Sequence, residues 1–424
     1  MIQKTKREIL PRCGQILAVG TALFFMVLWS SSAAEFTIPR LEMDTRSRMN
    51  DGEMVVSSLM SADFALTGGY KYSFLLGFTL EAADLAKAFT NRNFAVAPPL
   101  PAGSGVSAAD YNALADRLNN QANLAFRIGK ATARDIFGLP LNLSYFLGQD
   151  DDFCTGDEFA DLFGSSPFGT DFRGFMYFPD GIGGVPRRQY NGIYGVRGTG
   201  FSLSLTKWAN FVPILYLYQD FASTPYYLPP NTAVFGGGNL YSGDLRMLFN
   251  HNALGMEAFG GVSVSSTLDT SVRGGLMFHL SAGNGAEFFA QAGVPGWTVG
   301  QDFGIDNLFF LIEPRLHFNR LGVFLTFFYH PVEYIHISTW DERGRADINV
   351  KFQYGKATSG LTGGFEVGGN AKLAGMEDFV FNISPFVSYI SGGLQWDAKI
   401  KIIPTNYEVP QEIIELFIGV RTAF

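Results

Sequence analysis

The sequence predicts an all-β chain, a transmembrane antiparallel up-and-down β-barrel of about 14–16 strands with short turns at one end and long loops at the other. Three observations carry this prediction. Apolar and polar residues alternate with period two in one segment after another. Very short and long connections alternate between those segments. After residue 34, no stretch reaches the roughly 20 consecutive apolar residues of a spanning helix. Composition agrees: of 424 residues 47% are hydrophobic and 17% charged, with Gly 49, Phe 41 and Tyr 17, too apolar and aromatic for a disordered chain. The formal net charge of -8 argues against a nucleic-acid partner.

Residues 1–34 read as an export signal. Lys4, Lys6, Arg7 and Arg12 form a basic start, Ile16 to Trp29 an apolar run too short to span a bilayer, and Ser32-Ala33-Ala34 a small-residue site with cleavage after Ala34. Cys13 leaves with this segment. Cys154 is then alone, which excludes a disulfide scaffold or a cysteine zinc site within one chain.

Residues 35–60 precede the first clear alternation, and 61–424 show no repeat, linker or composition break, as suits one closed sheet. The strand segments are 62–80, 122–131, 136–147, 189–207, 209–219, 241–250, 253–266, 270–281, 284–295, 306–318, 320–331, 345–355, 360–370, 376–390, 393–403 and 412–424. In 347–354, Ile348, Val350, Phe352 and Tyr354 oppose Asp347, Asn349, Lys351 and Gln353. In 394–402, Leu394, Trp396, Ala398, Ile400 and Ile402 oppose Gln395, Asp397, Lys399 and Lys401. A two-residue turn at Gly68-Gly69 requires Thr67 and Tyr70 to share a face. Their parity differs, so 62–80 is expected to be one long strand.

Alternating strands also fit a soluble sandwich, whose apolar faces pack together, whereas those of a membrane barrel face lipid. Loop lengths favour the barrel. Long connections (83–121, 148–188, 220–240, 296–305, 332–344 and 404–411) follow odd-numbered segments. Short ones such as Trp208, Asn319 and Ser391-Gly392 follow even-numbered segments.

The chain ends with Ile414, Leu416, Ile418, Val420, Thr422 and Phe424 on one face. This resembles the last strand of bacterial outer-membrane barrel proteins. The resemblance implies outer-membrane lipid around the barrel of a diderm bacterium, and recognition of Ile414, Leu416, Ile418, Val420 and Phe424 by the barrel-assembly machinery.

Taking the less apolar parity as inward, the expected lumen wall carries Lys71, Arg273, His279, Glu313, Arg315, His317, Lys351, Asp397, Lys399, Lys401 and Arg421, with Glu257, Glu287, Arg320, Glu366 and Glu415. The same parity carries Phe259, Phe289, Phe309, Phe324, Phe328, Phe386 and Phe417. The reading is a porin-like channel for passive uptake of small solutes, with amphipathic or hydrophobic cargo admitted by the aromatic wall. In size and strand count the chain is similar to the long-chain fatty-acid transporter family. That resemblance implies a plug at 35–60, although the Asn-Pro-Ala motif of such plugs is absent; a periplasmic tail and an additional strand are the other readings. A different class, a surface adhesin or binding protein using loops 83–121 and 148–188 on a barrel anchor, is the alternative.

No catalytic, metal or cofactor motif emerges from the five histidines, so an enzyme is not expected. The carboxylates Asp150, Asp151, Asp152, Asp157, Glu158 and Asp161 lack calcium-loop spacing and read as a solvated extracellular run, with Cys154 a free thiol among them. Ser107 to Asn119 has the spacing of a short amphipathic helix, either folded into the barrel mouth or solvated.

Overall fold

The computed structural model describes residues 34–50, 53–82, 94–96, 122–165, 168–170, 192–220, 225–228, 232–235, 240–265, 269–329, 345–355, 360–372, 379–406 and 413–422. The export signal before Ala34, the 107–119 helix and Phe424 lie outside these. Eighteen strands form the wall: β1 (Ala34–Asn50), β2 (Glu53–Gly68), β3 (Tyr72–Ala82), β4 (Ala122–Ala133), β5 (Leu141–Phe153), β6 (Tyr194–Leu205), β7 (Phe211–Asp220), β8 (Leu240–His251), β9 (Leu254–Ser265), β10 (Thr270–Ser281), β11 (Ala286–Thr298), β12 (Phe309–Phe318), β13 (Leu321–Tyr329), β14 (Arg345–Gly355), β15 (Gly360–Lys372), β16 (Val380–Ser391), β17 (Leu394–Ile402) and β18 (Ile414–Thr422). Each pairs antiparallel with the next, and β18 returns to β1 from Glu42↔Arg421 to Arg48↔Glu415. The sheet is therefore closed and has no free edge. Phe94–Val96 runs parallel to the start of β4, and Pro225–Leu228 pairs with Thr232–Phe235 between β7 and β8.

Two differences from the sequence reading raise the strand count to eighteen. First, Gly68 pairs with Tyr72 across Gly69-Tyr70-Lys71, so 62–80 is a hairpin and not one strand. A three-residue turn, opened by Gly69 at φ 62, reverses the parity that excluded a two-residue one. Lys71 consequently stands exposed in the turn and not on the inner wall.

Second, 35–60 is neither plug nor tail. It forms β1 and the first half of β2, paired along their length from Ala34↔Gly68 to Asn50↔Glu53. A register shift between Thr37 and Arg40, around Pro39, moves the outward parity from Phe36 and Ile38 to Leu41 and Met43. Proline has no N–H for the ladder, and a bulge absorbs it. The broken alternation hid the strand.

One face of each strand is apolar and open, the other covered. In β16, Ile383, Val387 and Tyr389 are exposed while Ser384, Phe386 and Ser388 are buried. Leu215, Leu217, Leu245, Leu276, Ile312, Leu316, Leu325, Ile348, Phe365, Trp396, Ile400 and Leu416 continue this outer belt around the wall. Lipid is the solvent in which such a surface is stable. On the same face the rings of Phe36, Phe64, Phe78 and Phe126 follow one another across β1 to β4 at 6.1, 6.4 and 6.1 Å. Short connections such as Asn319-Arg320 and Gly392-Gly393 gather at one end, and the start of β1 and the end of β18 lie there. Asn319, Gly392 and Gly393 take positive φ, the geometry two-residue hairpins need.

Candidate functional site

The inner wall is divided into a sector in which buried apolar and buried charged side chains are interleaved and a sector that is mainly polar. From β5 to β13 it presents Phe146, Val196, Val212, Ile214, Tyr216, Tyr218, Leu248, Phe259, Met277, Phe289, Phe309, Leu311 and Phe328, all buried. From β14 through β18 to β2 it presents mainly Asp347, Asn349, Lys351, Glu366, Ser384, Ser388, Asp397, Lys399, Glu415, Asp44, Ser57, Ser61 and Asp63. Aromatic groups inside a barrel are stable only when covered. The connection between β5 and β6 supplies the cover.

That connection turns inward. Phe153, Cys154, Phe159 and Ile193 join the buried cluster, with Leu162, Phe163 and Phe168 packed on it. A one-and-a-half-turn helix, α1 (Glu158–Phe163), places Phe159 inward and ends at Gly164 in the left-handed region, whose N–H donates to the Ala160 carbonyl. Phe159 lies 4.4 Å from the Phe168 ring. The wall is shaped to receive the segment. A Cβ on Gly255 would collide with the Phe168 ring, and one on Gly275 would stand 2.8 Å from Ile193.

Side-chain contacts fix the segment to five neighbouring strands, β8 to β12. The Cys154 N–H donates to Glu257 Oε1 on β9 at 2.7 Å, and Gln291 Nε2 on β11 donates to the Cys154 carbonyl. The Thr170 hydroxyl donates to Glu313 Oε2 on β12 at 2.5 Å, and Arg315 Nη2 donates to the Gly169 carbonyl. Phe168 stacks on His279 of β10 at 4.6 Å. Arg246 of β8, fully buried, donates through Nη2 to Glu158 Oε2 and through Nε to Glu257 Oε1, each at 2.7 Å.

The expected wall residues are distributed as follows. Arg273 is buried on β10, held by Asp244 at 2.7 Å and lying 4.2 Å over the Tyr194 ring. Arg315 and Glu313 form a buried pair at 2.7 Å, and the Thr326 hydroxyl donates to Glu313 at 2.8 Å. His279 and His317 stand on either side of Glu287, 3.6 and 3.8 Å away. Lys351 lies between the rings of Phe324 and Phe386 at 5.2 and 5.0 Å. Lys399 meets Glu366 at 2.7 Å, Lys401 meets Glu415 at 3.8 Å, and Ser388 and Gln395 bind Asp397. Arg421 takes the register position opposite Gln395 and Glu42. Ile414, Leu416 and Ile418 face outward on β18, and Val420 follows on the same parity. Ala34 is the first residue of β1.

The acidic run departs most from the sequence reading. Asp150, Asp151 and Asp152 belong to β5. Lys130 reaches Asp150 at 2.6 Å and Asp151 at 3.5 Å, while Tyr216 donates to Asp151 at 2.5 Å. Glu158 is largely covered and Cys154 completely so; Asp157 and Asp161 remain exposed. Burial pushes the Glu158 carboxyl up to about 8, Asp151 and Glu257 adding to the effect and Arg246 opposing it. Burial, reinforced by Glu257, likewise pushes the Cys154 thiol well up. Carboxylates separated by Phe153, Phe159 and Phe163 signal an inward-folding segment more than a solvated one. That interleaving was the available clue.

No family model matches the chain, and no curated protein is similar to it. Among solved structures it is similar to OccAB4 of Acinetobacter baumannii at 11% identity, covering 92% of this chain and 98% of that one with a TM-score of 0.49. OprB of Pseudomonas putida, in a low-pH structure, is similar at 11% identity, with 94% and 95% covered and a TM-score of 0.41. A BenF-like porin of Pseudomonas fluorescens is similar at 8% identity, with 92% and 98% covered and a TM-score of 0.44. The chain's own strand pairing carries the fold assignment. A closed antiparallel wall with an apolar exterior and a charged interior is a transmembrane β-barrel.

Proposed function

We propose that this chain is an outer-membrane channel for passive uptake of small hydrophilic solutes, narrowed from within by residues 154–165 and 168–170. The observation that carries the reading is the division of the wall. The inward segment covers the buried apolar cluster and the ion pairs of β8 to β12, and the opposite sector, from β14 to β2, offers serines, asparagines and charges of both signs to a passing solute. Barrels of 16–18 strands are wide enough for an aqueous channel when not filled. On this reading the short-turn end is periplasmic and the inward segment descends from the extracellular side.

The hydrophobic-cargo reading has lost its main support, because 35–50 and 53–60 belong to wall strands and the interior aromatic groups of β5 to β13 pack with the inward segment. Among the described loop residues, nothing favours the adhesin reading. Assembly through β18 remains part of the proposal, with Phe424→Ala expected to reduce the yield of folded barrel in cells. The channel itself is tested by liposome swelling. Uptake of small sugars and amino acids that falls steeply with solute size is expected, and impermeable liposomes containing folded protein would reject it.

A further inference from the structure

The inward segment brings one carboxylate to a buried site that already has enough of them. Among the described residues, Arg246 and Lys130 are the two cations there. Asp150 and Asp151 come from β5, Glu257 from β9 and Glu158 from α1. Arg246 is matched by Glu257 at 2.7 Å, with Asp151 3.8 Å away, and Lys130 is matched by Asp150 and Asp151. The Tyr216 hydroxyl and the Phe153 ring, 5.0 Å from the guanidinium, complete the surroundings. Among the described residues, four ionised carboxylates against two cations leave an excess negative charge in a largely covered site, where Arg246, Asp150 and Glu257 are fully buried, and this is unfavourable. Glu158 is the only one of the four on the movable side of the contact.

We propose that Glu158 and Arg246 form a proton-dependent latch: the inward segment stays docked while Glu158 holds a proton, and it loosens when that proton is lost to water. The proton moves from the Glu158 carboxyl to bulk base, and no other bond changes. The direction follows from linkage. A docked carboxyl that holds its proton up to about pH 8, against an ordinary value of 4.5, binds more protons than the released one across that interval. Rising pH therefore favours release, at most about tenfold per pH unit, and the change ends above about pH 8. The latch concerns docking, so its test does not depend on the channel reading.

Cys154, at the root of the segment and completely covered, is a native reporter. Its labelling by a small maleimide in the folded barrel, divided at each pH by the rate for the urea-unfolded chain, measures release. This ratio is expected to rise severalfold or more from pH 6.5 to 8.5 in the wild type and to stay flat in Glu158→Gln, which keeps the hydrogen bond without the charge. Hydrogen exchange of 154–165 in the wild type, corrected for intrinsic pH dependence, should rise in parallel and needs no variant. A ratio that does not change with pH in the wild type would overturn the latch. So would a slope that survives Glu158→Gln, or one that disappears only in His279→Gln, since the His279 imidazole stacks on Phe168 of the segment. If labelling follows the latch but bilayers stay silent, the channel reading fails and the latch stands.

Discussion

Arg246 illustrates how much of the interior depends on single residues. Its guanidinium is fully buried, satisfies Glu257 and Glu158, and lies on the Phe153 ring. Truncating one member of a buried ionic group leaves the others uncompensated, at about 3–5 kcal/mol. Arg246→Met should accordingly lower the urea midpoint of the refolded barrel well beyond the change caused by Lys401→Met, because the Lys401 pair is wider and partly exposed. Equal midpoints would contradict this role. Gly255 makes the complementary point, since a side chain there would occupy the place of the Phe168 ring. Gly255→Val is expected to leave the barrel folded and raise single-channel conductance by displacing the segment; unchanged conductance would mean that the segment does not limit the pore. Parity alone indicated Glu313, Arg315, Lys351 and Lys399 as inward positions, because a pleated strand alternates without exception between bulges. It could not indicate Glu158 or Cys154, whose burial comes from a loop folding back over distances of about a hundred residues in sequence.

Among the elements, β1 and β2 decide between two accounts of the N-terminal region. As strands they close the sheet, β1 pairing with β2 on one side and β18 on the other. A chain beginning at Glu53 should therefore fail to form the compact, heat-modifiable barrel on an unheated detergent gel. A plug would be dispensable for folding, and its removal would leave a stable and more conductive pore, so a folded truncated barrel would contradict this assignment. The clean period-two segments, such as Asp347 to Tyr354, were legible because each residue keeps one face throughout. At β1 the signal failed at Pro39, where the bulge exchanges the faces, and at Gly69-Tyr70-Lys71 it failed because turn length is not encoded in alternation. The Asn50-Asp51-Gly52-Glu53 sequence has the composition of a tight hairpin turn and was the local clue to β1 and β2.

At the scale of the molecule, closure and interior filling are two separate properties. Closure follows from an apolar outer belt that only lipid can cover and from backbone groups paired strand to strand around the ring. Filling follows from the buried apolar cluster of the inner wall, which would be unstable in water and is covered by residues 154–165 and 168. The interior that remains carries both signs of charge, so weak ion selectivity is expected, with a small preference for cations from the exposed Asp157 and Asp161. Asp157→Asn/Asp161→Asn should move the reversal potential in a potassium chloride gradient toward anions, and an unchanged potential would place these carboxylates outside the ion path. The most direct test of the central claim is the single-channel conductance of the refolded chain from Glu35, measured beside a variant in which residues 155–169 are replaced by a short glycine-serine linker. A steady conductance that increases severalfold on removal of the segment is the predicted result. Equal conductance of the two folded proteins, or silence from both, would contradict a pore narrowed from within.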